Sequence, residues 1–296
     1  MTIRNLHAML DARSVALIGA SSRFGSIGAM VARNLLADGF KGTIDFVNPK
    51  HATIDGRPCV ASVRDLATVP DLVVIATPPA TVPTLIREVG DHGTRAVAVI
   101  SAGLSAAQKQ GALDAARPHC LRILGPNCIG LQVPGLGLDA SFAHRAATSG
   151  SLAFVSQSGA LVTAVIDWSA GRNIGFSHVI SLGDMVDVDF GDLLDYLAGD
   201  THSHAILLYM EAVTSAPKFI SAARRAARVK PVIIVKSGRH AAGAHAAASH
   251  TGALAGSDAA YDAASGAPGC CAFMISTNCS KPPKSWHACR RSAATD

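Results

Sequence analysis

Short apolar runs alternate with helical periods along most of the chain. Residues 14–20 (SVALIGA) form a continuous apolar run, the pattern of a strand buried on both faces. Residues 27–37 carry apolar positions at helical spacing. Residues 43–47, 71–77, 95–101 and 121–124 read as further strands, and residues 82–91 and 105–117 as helices between the later ones. Strands alternating with helices predict a parallel sheet with right-handed crossovers.

A Gly- and Pro-rich stretch without clear period runs from Gly125 to about Gly150 and reads as a linker. A second alternation then begins. Residues 152–156, 176–182, 205–210 and 231–236 look like strands, and residues 161–170, 190–198 and 217–229 like the helices between them. The expected class is therefore α/β. A Rossmann-like domain (1–130) and a linker (131–150) precede a flavodoxin-like domain (151–264). After Ala264 the pattern collapses. Residues 265–296 differ in Cys, Pro and Trp usage from everything before them, and read as a frameshifted or otherwise replaced C-terminus. On that reading, a final strand and helix of the second domain would be missing.

Composition narrows the function classes. Apolar residues make up 49% and charged residues 16%, enough to build a core and too apolar for disorder. No apolar run of about 18 residues suggests a membrane span. The first ten residues run straight into Asp11 and Arg13, unlike a secretory signal, so a cytoplasmic location is expected. The net charge of +5 comes largely from the last 32 residues, where Lys281, Lys284, Arg290 and Arg291 face only Asp296. The body has no basic stripe with interleaved aromatics, which excludes a nucleic-acid partner. The Cys spacing forms no paired C-x-x-C knuckles, so no metal site is expected.

Candidate chemistry lies at the strand ends. Gly19 opens a loop, GASSRFGSIG, that joins the first strand to the first helix; Ser21 and Ser22 lie within it. Glycines let a backbone approach a phosphate, and a helix start favours its charge. A plain strand-to-helix turn uses the same residues, so the end of the second strand discriminates. An NAD site has an acidic residue there for the ribose hydroxyls. This chain has Asn48-Pro49-Lys50. An ammonium suits the 3′-phosphate of coenzyme A instead. Ser101, at a later strand end, adds a small residue where a bulky group needs room. In the second half, Ser156-Gln157-Ser158-Gly159 again joins a strand to a helix and suits an anion, with Ser158 and Gly159 as phosphate binders. The nucleophile elbow G-x-S-x-G is absent. Glu211, one of two glutamates in the chain, ends a buried strand and needs a partner such as a histidine. His250 sits in a loop of small residues, SHTGALAGSD, with the freedom that a group-transferring imidazole needs.

These segments together resemble the ADP-forming acetyl-CoA and other acyl-CoA synthetases, a family related to the succinyl-CoA synthetase α subunit. SHTGALAGSD is similar to the family's active-histidine signature. LIGAS, NPK, GPNCIG (125–130) and SQSGAL (156–161) match in the expected order, and the resemblance covers about residues 8–264. It implies that acyl-CoA and phosphate give acyl phosphate and CoA, and that the acyl phosphate then phosphorylates His250. Glu211 would stabilise that histidine, Ser158 and Gly159 would hold phosphate, and Gly19, Ser21, Ser22, Lys50 and Ser101 would bind CoA. The phosphoryl group would pass to ADP, with Mg2+, on an ATP-grasp (β-type) subunit or domain that this chain lacks, in an oligomer. A CoA-binding regulatory module and an inactive truncated fragment stay open as alternatives.

Overall fold

The computed structural model describes residues 3–37 and 39–237. A short helix, α1 (His7–Leu10), precedes the first sheet. The chain then runs through β1 (Ser14–Ile18), α2 (Ile27–Ala37), β2 (Thr43–Val47), β3 (Thr53–Ile54), β4 (Arg57–Val60) and β5 (Leu72–Ile75). It continues through α3 (Val82–His92), β6 (Ala96–Val99), α4 (Ala106–Ala116) and β7 (Arg122–Leu124). The seven strands order as β3-β4-β2-β1-β5-β6-β7. Every residue of β5 and β6 is buried, as expected of parallel strands covered on both faces. Local signals set the helix ends. Ser105 and Gln108 form a reciprocal capping box at the start of α4, and Gly93 ends α3 at φ 110°.

The second sheet contains β8 (Gly130–Val133), β9 (Leu138–Ser141), β10 (Ser149–Ser156), β11 (Phe176–Ser181), β12 (Ala205–Met210) and β13 (Val232–Lys236). Its order is β13-β12-β10-β11-β8-β9. Helices α5 (Gly159–Ala170), α6 (Phe190–Gly199) and α7 (Ala216–Val229) make the crossovers. Residues 131–150 are therefore no linker: β8 and β9 pair antiparallel with each other, and β8 with β11, extending the second sheet. Buried polar residues hid their period. Gln132, Asp139 and Ser141 are each about 2% exposed or less. Gln132 Nε2 donates to Asp139 Oδ2 at 3.0 Å, and Ser141 Oγ to Asp139 Oδ1 at 2.5 Å. A pattern search for alternating apolar residues passes over such strands.

The sheets share one core cluster, and polar ties fix them together. Asn34 of α2 donates to Ser141 O (2.9 Å) and Ala143 O (2.7 Å). Arg122 of β7 reaches Asp187 at 2.9 Å and the fully buried Asp192 at 3.0 Å. In each sheet one strand has crossovers leaving in opposite directions. β1 lies between β2 and β5, and β10 between β11 and β12. Such switch points open a crevice at the carboxyl ends of the strands. Among the described residues no helix is long and apolar enough to cross a membrane.

Candidate functional site

Steric packing shapes the loop after β1. Gly19 has φ +90°, and a Cβ there would lie 2.5 Å from Ala76 O, just past the end of β5. A Cβ on Gly28 would lie 2.0 Å from Gly19 O, so α2 starts directly against the loop. Between them Ser22, Arg23, Phe24 and Gly25 are exposed. Ser21 Oγ accepts from Arg23 N at 3.0 Å, and Ser26 Oγ donates to Arg23 O at 2.8 Å, which pins the exposed turn from both sides. Asn48 Nδ2 donates to Ala20 O at 2.7 Å, while its Oδ1 accepts from Lys50 N at 2.9 Å. That amide carries the exposed Lys50 beside the glycine loop. Ser101 is buried and donates to Thr77 O at 2.6 Å, so its hydroxyl is left to accept. Residues 19–28 and 48–50 contain no carboxylate. Open amides, hydroxyls and the cations Arg23 and Lys50 form a donor set that fits a phosphorylated nucleotide.

Hydrogen bonds shape the loop after β10. Ser156 is buried; its Oγ donates to Ser158 O at 2.8 Å and accepts from Ser158 N at 3.1 Å. Ser158 caps α5, its Oγ accepting from Leu161 N at 3.4 Å. Gln157 Oε1 accepts from both Glu211 N and Ala212 N at 3.0 Å, and Gln157 N donates to Tyr209 O at 3.0 Å. This one side chain locks the half-buried Glu211 segment, past the end of β12, to the start of α5. The first-turn amides of α5 have no helical acceptor and carry the positive end of the helix dipole. Lys236, 1% exposed at the end of β13, lies at the same edge and donates to Ser237 O at 3.2 Å.

Residues 125–130 join the two loops. Asn127 N donates to Ser101 O at 3.0 Å, and Asn127 Nδ2 to Asp184 Oδ1 at 3.0 Å. Lys109 of α4 pairs with the same Asp184 at 2.7 Å. Ile129 packs on Gly159, where a Cβ would sit 2.7 Å from Ile129 Cγ2. The segment thus touches the Ser101 end of the first sheet and the start of α5. Cys128, inside it, is no nucleophile. Its Sγ donates to Val99 O at 3.4 Å, and burial pushes its thiol up to about 12.

The structure places Gly19, Ser21, Ser22, Lys50 and Ser101 at the carboxyl edge of the first sheet. Ser158, Gly159 and Glu211 lie at that edge of the second. His250 lies outside the described residues. Gln157, Asn48 and Asn127 were not singled out in the sequence, although each sits inside a noted segment. Their partners are 54, 28 and 26 residues away, and no local pattern encodes those pairings. No group of three or more His, Cys, Asp or Glu that could hold a metal occurs among the described residues.

Comparison with known proteins follows the same division. A family model of a CoA binding domain matches residues 13–134, and one of a succinyl-CoA ligase-like flavodoxin domain matches residues 149–274. Acetate–CoA ligase [ADP-forming] I of Archaeoglobus fulgidus is 41% identical over 256 residues, covering 84% of this chain and 37% of that protein. The α subunit of acetate–CoA ligase [ADP-forming] I from Pyrococcus furiosus is 39% identical over 270 residues, covering 88% of this chain and 58% of the subunit. The chain thus spans little more than half of one relative and less than half of the other. The dinucleotide-forming acetyl-coenzyme A synthetase 1 of Ca. Korarchaeum cryptofilum, solved with phosphate and ADP, superposes with a TM-score of 0.86 at 34% identity, over 91% of this chain and 59% of that one. With both domains matched in order and the fold shared, the chain carries a CoA binding domain followed by a succinyl-CoA ligase-like flavodoxin domain, and over both it is similar to the ADP-forming acetate–CoA ligases.

Proposed function

We propose that the chain is the α-type portion of an acid–CoA ligase of the ADP-forming kind. Phosphate attacks the acyl-CoA carbonyl, the thiolate of CoA leaves, and acyl phosphate forms. His250 then takes the phosphoryl group and releases the carboxylate. ADP, bound with Mg2+ on an ATP-grasp subunit or domain, receives it in turn. All steps are reversible. CoA lies along the glycine loop, with Ser21 and Ser22 at its phosphates and Lys50 at the 3′-phosphate. Phosphate sits at the start of α5 on Ser158 and Gly159, where fixed amides also stabilise charge developing on the carbonyl oxygen. Glu211 orients the imidazole of His250 and stabilises its phosphorylated form. On this reading residues 1–130 form the CoA domain and the phosphohistidine domain follows, with β8 and β9 as its edge.

The observation that carries this reading is the 125–130 segment. It ties Ser101, at the CoA edge, to Gly159, at the phosphate edge, through Asn127 and Ile129. A thioester held by one loop thereby meets a phosphate held by the other. The test is phosphohistidine formation. The chain is incubated with labelled phosphate and a panel of acyl-CoAs, alongside His250→Ala. Acid-labile, base-stable label on the wild type and none on the variant is expected, with the panel ranking the acyl groups. If both proteins are folded, bind CoA and stay unlabelled, the chain is a CoA-binding module or an inactive fragment.

A further inference from the structure

The groups assigned to the reaction gather at the carboxyl ends of the strands. At the opposite end of the second sheet, where β10 and β11 begin, lies a cavity of about 400 Å3 that the reaction leaves unused. Its walls come from both halves of the chain. Leu10 and Asp11 end the α1 segment, while His178, Tyr196, Asp200 and His202 come from β11, α6 and the turn after it. Its size falls in the range of small-molecule sites.

The walls are fixed by hydrogen bonds. Ser203 Oγ donates to Asp200 Oδ2 at 2.5 Å and lies 3.3 Å from His178 Nδ1 and 2.8 Å from Ser177 Oγ. His178 is 4% exposed and lines the cavity together with Leu10. Burial holds its imidazole down at about 4, so it is neutral near pH 7. The Tyr196 ring meets it edge-on at 6.4 Å and 82°. Burial first, then the fields of Asp200 and Asp11, push the Tyr196 phenol up to about 12. Both carboxylates line the cavity: Asp11 is exposed, while Asp200 Oδ1 accepts from His202 N at 3.2 Å and lies 3.1 Å from His202 Nδ1, so Asp200 is held in place as a fixed charge.

This chemistry selects one class of ligand. The carboxylates repel anions. No metal-binding cluster occurs among the described residues. A hydrolytic triad is ruled out, because Ser203 and Asp200 both approach Nδ1 of His178, at 3.3 and 3.8 Å, where a relay needs opposite nitrogens. Lys230 Nζ donates to the backbone oxygens of Leu197 and Asp200, so it braces the wall and is not directed at a carboxylate. Two carboxylates beside an aromatic ring attract a cation, and Leu10, Val133 and Leu136 line an apolar stretch beside them. We propose that this cavity binds a small organic cation, a primary amine or guanidinium. Its head lies between Asp11 and Asp200 against Tyr196, and its stem along Leu10, Val133 and Leu136. Such a ligand bridges α1 and the second sheet away from the reacting groups, the position of an effector.

n-Butylguanidinium titrated into the full chain by calorimetry tests this, with valerate and n-pentanol as anionic and neutral probes of similar stem. Saturable butylguanidinium binding, with neither control binding, is expected. Asp11→Asn should weaken it about tenfold. Asp11 is exposed, so thermal unfolding should not change. Tyr196→Leu should weaken it as well, with CoA binding retained in both variants. Absence of saturable binding, equal binding of valerate, or an unchanged affinity in Asp11→Asn overturns the proposal.

Discussion

After β1 the chain reaches α2 through glycines; after β10 it reaches α5 through hydroxyls and an amide. In the first loop Gly19 and Gly28 press backbone against backbone, and residues 22–25 are left open at the surface. In the second, Ser156, Gln157 and Ser158 bond one another's segments and the chain beyond β12, and the loop is largely closed. The difference follows from what each is read to hold. A long nucleotide runs across an open turn and needs close backbone approach with cations at its ends. A compact phosphate needs a few donors held rigidly, because charge moves there during reaction.

Three substitutions sharpen this contrast. Gly28→Ala should have the largest effect, since its Cβ would stand 2.0 Å from a backbone oxygen that cannot move without displacing β1. A loss of about 3 kcal/mol in denaturant unfolding, with loss of CoA binding, is expected. A near-neutral result would show that packing does not close this loop. Gln157→Ala comes next. It strips the acceptor from two amides beside a 9% exposed side chain, costing about 2 kcal/mol. Phosphohistidine yield should fall further than stability accounts for, and Gln157→Glu, which keeps the acceptor, should restore stability. Equal yields at equal folded fraction would separate Gln157 from Glu211. Lys50→Ala should be the mildest. Lys50 is exposed, so unfolding should shift by less than about 0.5 kcal/mol. CoA affinity should drop about tenfold at low salt, and dephospho-CoA affinity should not change. An equal drop for both ligands would move Lys50 away from the 3′-phosphate.

Legibility in the sequence depended on the range of the interaction. Helix α2 and strands β2 and β12 fall on the residues expected from periodicity, because an apolar run or a 3.6-residue stripe is written into the segment itself. Strands β8 and β9 escaped, since Gln132, Asp139 and Ser141 face a buried polar network that looks like surface sequence. The hairpin of β3 and β4 escaped as well: Arg57 and Pro58 are exposed, and the strands are two and four residues long.

The site divides along the same line. Sequence alone determined which segments carry small, hydroxylated or cationic residues at strand ends, and the order in which they occur. Those are properties of single loops, set by what a helix start and a close backbone approach require. Only the tertiary structure decided that Gln157 holds the backbone of residues 211 and 212, that Asn48 carries Lys50 to the glycine loop, and that Asn127 and Ile129 join the two edges. The cavity between Asp11 and Asp200 belongs to that second group. Hydrogen bonds and fields act through space between residues far apart in the chain, and folding alone brings those partners within reach.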